Sequence, residues 1–183
     1  MIVAANISAL HVLEFSASIA PNTLAYEVSC QPTPDKPLND CFPIVAEQVV
    51  ARGGQQIFGW ALWELPGVFI EAEFHSVWKS PEGDVVDLVP RLRPFTEIAF
   101  VPDASRRYEN RQVDNIRKQL VNDNDVKRFL FLCKRRFAIL NAGERALQHA
   151  LILPKADMRE LEANEKESMR LERRIYKRYA ANF

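Results

Sequence analysis

From Gln55 to Val89 apolar and polar residues alternate, and a period of two is the mark of extended chain. QQIFGWALWE, GVFIEAEFHSVW and DVVDLV are separated by the turn-forming breaks LPG and SPEG, which predicts three antiparallel strands joined as a meander. FTEIAFV, after the RLRP break, predicts a fourth strand, and PNTLAYEVSC a short one earlier in the chain. The first twenty residues do not resolve into a clear element. In CFPIVAEQVVARGG the period lengthens: Phe42, Val45, Ala46, Val49 and Val50 recur at helical spacing, with Glu47, Gln48 and Arg52 on the other side. Asn39 or Asp40 is placed to cap this helix, Pro43 is tolerated in its first turn, and Gly53-Gly54 ends it.

Past PDASRRYENRQ the pattern predicts helix in VDNIRKQLVN, in DVKRFLFLCKRRFAIL and from about Ala156 to Tyr179. The middle segment carries Phe129, Leu132, Cys133, Phe137 and Leu140 on one stripe, with Lys and Arg at its rim. The last has only Met158, Leu161, Leu171, Ile175 and Tyr179 as a thin apolar seam. These elements predict an α+β protein. Residues 1–103 form a core in which a small antiparallel β-meander packs on the helix of residues 41–52. Residues 104–183 form a basic helical C-terminal region packed on that core.

Composition narrows the class. A chain of 183 residues with 48% hydrophobic and 26% charged residues is that of a soluble globular protein able to bury its own core. The apolar start MIVAANISALHVLEFSASIA has no cation before it and is broken by His11 and Glu14, so it reads as part of the fold and not as a secretory leader. Three cysteines, Cys30, Cys41 and Cys133, build neither a disulfide framework nor a CxxC zinc knuckle, and a reducing cytoplasm is the expected location. Zero net charge conceals an uneven split. Up to Asp103 there are 5 Lys/Arg against 13 Asp/Glu, and after it 19 against 11, a net of −8 and +8. Such a split implies attraction within the fold or an anionic partner, nucleic acid or an acidic protein, for residues 104–183.

The alternation also places chemistry. In FIEAEFHSVW one strand face holds Glu71, Glu73, His75 and Val77, the other Ile70, Ala72, Phe74 and Trp78. Asp87 lies on the following strand. If PEG is a three-residue hairpin loop with Gly83 left-handed, Ser80 pairs with Asp84, Val77 faces Asp87, and Asp87 becomes the diagonal same-face neighbour of His75. A two-residue loop would send Asp87 to the opposite face. Cys41 opens a helix, and a helix N-terminus or a nearby imidazolium stabilises the thiolate, the nucleophilic form of cysteine. An aspartate on the second ring nitrogen would fix the tautomer of His75. The plainer alternative is that Cys41 is a packed core thiol, as Cys30 and Cys133 within their apolar runs are read to be.

Cys41 opening a helix, His75 on a strand and Asp87 on the next, within FHSVWKSPEGDVVDLVP, resemble the core of transglutaminase-like and arylamine acetyltransferase-like proteins of the wider papain-like fold. The resemblance covers residues 38–90. The tryptophan or glycine neighbours usual beside that family's nucleophile are missing. It implies a cysteine-dependent amide or acyl hydrolase or transferase in which Cys41 attacks a carbonyl of a protein or small acyl substrate. His75 would move the proton and Asp87 orient it, while Asn39, Gln31 or the Cys41 backbone N–H forms an oxyanion hole. GWALWELPGVFIEAEFHSVW is also similar to a segment of uncharacterised bacterial proteins, some with a zinc-binding tail that this chain lacks.

Two other readings use the same residues. Glu71, Glu73, His75 and Asp87 offer mixed oxygen and nitrogen ligands, but neighbouring same-face residues stand about 7 Å apart on a strand and metal sites recruit from several elements, so neither metal nor cofactor is expected. Trp60 and Glu73 are candidates to line the site, with Trp63 and Trp78 as further aromatic candidates. The rival from another class is a non-catalytic binding or inhibitor module that grips an anionic partner through its basic helices. No membrane partner is expected.

Overall fold

The computed structural model describes residues 1–147 and 152–179; of the region 104–183, residues 148–151 and 180–183 lie outside this description. In chain order the elements are β1 (Val3–Ala4), α1 (Leu10–Ile19), β2 (Tyr26–Cys30), α2 (Cys41–Arg52), β3 (Gln55–Leu65), β4 (Phe69–Lys79), β5 (Val85–Asp87), β6 (Glu97–Pro102), β7 (Ile116–Gln119), α3 (Asn124–Leu140) and α4 (Lys155–Arg178). A short 3-10 turn, Gly143–Leu147, follows α3. The α+β class is as the patterning indicates. Among the described residues no helix is long and apolar enough to cross a membrane.

The chain divides into two compact units. The first, residues 4–63 and 72–108, holds the strands that the alternation marks, but they do not form a meander. β3, β4 and β5 follow one another as expected, yet β5 also pairs in parallel with β2, β2 with β6, and β6 back with β3. With β3 paired to β4 the ring of five strands closes into a barrel. A period of two reports which face a residue occupies and says nothing of which strand lies alongside. Closure removes the open edges that a free meander would expose. Gly59 makes the β3–β6 approach possible, since a Cβ there would sit 2.3 Å from the Val101 carbonyl oxygen. Val28, Ile98 and Phe100 share one strand face and Trp60, Leu62 and Val101 the other, and both sets are buried. The unassigned N-terminus supplies α1, which buries Val12, Phe15 and Ser16.

The inward face of α2 differs from the expected one. Cys41, Ile44 and Val45 are buried, whereas Val50 is 89% exposed, so the stripe is turned to include the first residue of the helix. Several valines and an alanine on neighbouring faces blur a spacing argument; the seat of Ile44 against Val86, Leu88 and Trp78 decides it.

The second unit comprises residues 1–3, 64–71 and 109–183, and so includes the tip of the β3–β4 hairpin. VDNIRKQLVN is not helical. Residues 116–119 form β7 along β4, and Leu120 N–H bonds the Val68 carbonyl at 2.8 Å. Its apolar residues are spaced as in a helix, but an available strand edge outweighs so weak a preference. α3 and α4 pack antiparallel, as the order of their ion pairs shows: Arg128–Glu167, Arg135–Glu160 and Arg174–Asp125. Their core joins Leu65, Val68, Phe69, Val126, Leu132, Leu171 and Ile175. Buried Asn164 donates to the Leu132 carbonyl at 3.1 Å, which satisfies the one polar group on this seam.

Candidate active site

Three elements of the barrel unit meet around His75. β4 presents its imidazole, 2% exposed. β5 ends on Asp87, fully buried, and the SPEG turn fixes its register: Trp78 pairs with Val86, Lys79 with Val85, and Ser80 N–H bonds the Asp84 carbonyl. Gly83, at φ +105°, takes the left-handed position that allows the three-residue loop. Val77 is therefore level with Asp87, and His75 Nε2 stands 3.0 Å from Asp87 Oδ1. α2 brings Cys41, 5% exposed, near the same ring, where its charge bears on the imidazole. With Nε2 engaged by the aspartate, Nδ1 is the nitrogen left for sulfur.

Burial alone would push His75 down, because it penalises the imidazolium. Charge on Cys41 and hydrogen bonds to Asp87 and Cys41 outweigh this and raise it to about 10. Burial likewise acts against ionised Asp87, but His75 and Arg91 overcome it and hold the carboxyl below its usual range. The arrangement thus favours the imidazolium beside an ionised Asp87. The edge of Phe100 packs on the ring at 6.4 Å between centroids.

Asp87 is more heavily engaged than the sequence suggests. Oδ1 also accepts from Val89 N–H, and Oδ2 accepts from Arg91 and, at 3.8 Å, from the Cys30 thiol. Arg91 donates to the Val89 carbonyl, lies 3.4 Å from His75 Nε2 and stacks over Trp63 at 5.3 Å. It is the site residue that sequence reasoning missed, although DLVPR carries the signal: an acid and a base four apart around a proline turn.

The start of α2 has the makings of an oxyanion hole. The N-cap Asp40 makes no side-chain cap bond, and Pro43, third in the helix, has no N–H. The amides of Cys41 and Phe42 therefore head the helix without a capping side chain, beside the thiol. Asn39 and Gln31 act through backbone: Asn39, at φ +59°, bonds the Pro90 carbonyl at 3.0 Å, and Gln31 bonds that of Asp87 at 2.8 Å; both side chains are exposed. Trp60 is 1% exposed, with Nε1 on Asp103 and its ring 5.3 Å from Phe74, between centroids. Glu73 accepts from Trp63 Nε1 at 2.8 Å. Glu71 is held by Arg117 and Asn115 in the helical unit. Among the described residues no three His, Cys, Asp or Glu side chains group as metal ligands.

Phe42 carries a ring cluster next to the thiol. Tyr108 stacks flat on it at 3.9 Å and 4°, and Phe74 lies at 5.2 Å. Burial first, then the charges of Asp40 and Cys41, push the Tyr108 phenol up. The other thiols are suppressed: burial and acidic neighbours raise Cys30 to about 12 and, partly offset by Arg117, Cys133 to about 11.

With this geometry in hand, comparison of the chain with protein-family models, curated proteins and solved structures finds no match.

Proposed function

We propose that the protein is a cysteine-dependent amide or acyl hydrolase or transferase, acting through Cys41, His75 and Asp87. One observation carries this reading: a buried imidazole that joins the thiol at a helix start to a buried carboxylate. A buried ionised group is costly unless it is paired, and this ring is paired with Asp87.

The chemistry follows from the positions. Cys41 sulfur adds to the carbonyl carbon of an amide or thioester, and the oxyanion formed is met by the free amides at the head of α2. Collapse breaks the bond to the leaving amine or thiol, which takes its proton from His75. Water or an acceptor amine, deprotonated by the same ring, then attacks the thioester and regenerates the Cys41–His75 pair. Asp87 holds the ring in the tautomer that faces sulfur.

Iodoacetamide labelling read by mass spectrometry tests this without a known substrate. Near pH 7 Cys41 is expected to be alkylated first, while Cys30 and Cys133, pushed to about 12 and about 11, stay unlabelled. His75→Ala is expected to slow Cys41 labelling at least about tenfold. Equal inertness of all three thiols, or no effect of His75→Ala, would overturn the reading. A panel of chromogenic amides and thioesters then separates hydrolase from transferase, with Cys41→Ala as the blank.

A further inference from the structure

We propose that Arg91 is a positioning residue of this site, holding Asp87 ionised and aimed at His75. The inference rests on the reading of Cys41 and His75 given above and adds a group to it.

Asp87 is fully buried, and His75 meets only one of its two carboxylate oxygens. Uncompensated burial of its charge would drive a proton onto the carboxylate. Arg91, whose side chain is 11% exposed, supplies a positive charge at the oxygen that His75 does not use. The two carboxylate oxygens are thereby divided: Oδ1 serves His75 and Val89 N–H, and Oδ2 serves Arg91 and the Cys30 thiol. The guanidinium is fixed in turn by the Val89 carbonyl and the face of Trp63, whose Nε1 is tied to Glu73 and whose ring meets Phe95 at 4.9 Å. The charged and titratable groups facing Asp87 are His75 from β4, Cys30 from β2 and Arg91 from the turn after β5. Cys41 acts through His75, and Glu97 of β6 bears on Cys30. Arg91 lies 3.4 Å from His75 Nε2, but its ion pair is with Asp87, and it acts on the ring through the aspartate.

The test follows the Asp87 side-chain carboxyl by 13C NMR against pH, in the wild type and in Arg91→Gln, with far-UV circular dichroism to confirm folding. Asp87 is expected to remain ionised below the ordinary aspartate value of about 3.9 in the wild type and to titrate about one to three pH units higher in Arg91→Gln. Cys41 alkylation near neutral pH should slow alongside it, and Arg91→Lys should give an intermediate shift of Asp87. Superposable titrations of the wild type and Arg91→Gln would overturn the proposal. If Arg91→Gln does not fold, Arg91→Lys decides: an Asp87 titration raised above that of the wild type supports the proposal, and one superposable on it overturns it. Failure of the nucleophile reading looks different, since Cys41 would stay unlabelled while Asp87 still titrates low.

Discussion

His75 is the residue on which the site turns, and its protonation gives a prediction with a sign. Its folded value, raised to about 10 by Cys41 and Asp87 against the pull of burial, lies above the ordinary 6.5. A group raised in this way adds stability that is fully present below about 6.5 and is lost as pH climbs through 10. The ring is therefore expected to titrate near 10 by NMR, and Asp87→Asn to bring it down by about one unit or more, since a carboxylate partner is removed. Turnover in Asp87→Asn should fall on the order of 10²- to 10⁴-fold. Titration of His75 near 6.5 in both proteins would sink this account. Much of this site was legible beforehand, and for a physical reason. Alternation fixes a strand face, loop length fixes register, and a capping signal fixes where a helix begins, so Cys41, His75 and Asp87 follow from local rules. Arg91 and Tyr108 follow strand ends, where side-chain direction depends on the path of an irregular turn. Gln31 and Asn39, read from the sequence as oxyanion candidates, have exposed side chains, and their backbone N–H groups bond the Asp87 and Pro90 carbonyls.

At the scale of elements, the barrel depends on close approaches that no periodicity reports. Gly59 has the Val101 carbonyl 2.3 Å and the Phe100 ring 2.6 Å from where a Cβ would stand. Neither backbone nor a buried ring can yield cheaply, so Gly59→Ala is expected to destabilise the barrel unit by about 1–3 kcal/mol or more. Gly83 is the control: a Cβ there meets nothing within 4 Å, and only its φ of +105° resists. Gly83→Asn should cost about 1 kcal/mol, as residues tolerant of positive φ do in turns. Urea melts followed by tryptophan fluorescence distinguish the two; equal losses would contradict the close-packing argument. The same melts suit the barrel because Trp60, Trp63 and Trp78 all belong to its unit. The strands themselves were readable, since burial on one face writes itself into the sequence. Their closure was not, because β2 and β6 join the ring through long-range pairings. β7 and the turned face of α2 were missed for a related reason: helical spacing in a short segment is weaker than a waiting strand edge or an apolar seat.

For the whole molecule, the ion pairs of the helical unit join its own two helices and leave the net +8 of residues 104–183 in place. Arg128, Arg135, Arg136, Arg174 and Arg178 pair with Glu167, Glu160, Glu165 and the acidic start of α3. Exposed pairs of this kind are each worth about 0–1 kcal/mol, so the seam of Leu132, Leu171 and Ile175 holds the helices and the ion pairs align them. Asp123 is the exception. As N-cap of α3 it accepts from the amides of Asp125 and Val126, and it also binds Arg178 and, at 2.8 Å, the Tyr179 hydroxyl, so one carboxylate fastens the start of α3 to the end of α4. Slight burial raises its pKa, but these partners outweigh that and lower it to about 2. A depressed acid adds stability that is present above its ordinary value of about 4 and is lost as pH falls toward 2. Asp123→Ala should cost about 0.5–2 kcal/mol near neutrality through the cap alone. It should also lose less than the wild type between pH 4 and 2, because the proton no longer has this carboxylate to neutralise. Far-UV circular dichroism reads this unit, since α3 and α4 hold 17 and 24 residues against 10 and 12 in α1 and α2. Parallel acid losses in variant and wild type would mean that the fastening lies elsewhere, in the pairs of Asp125, Glu160 and Glu167.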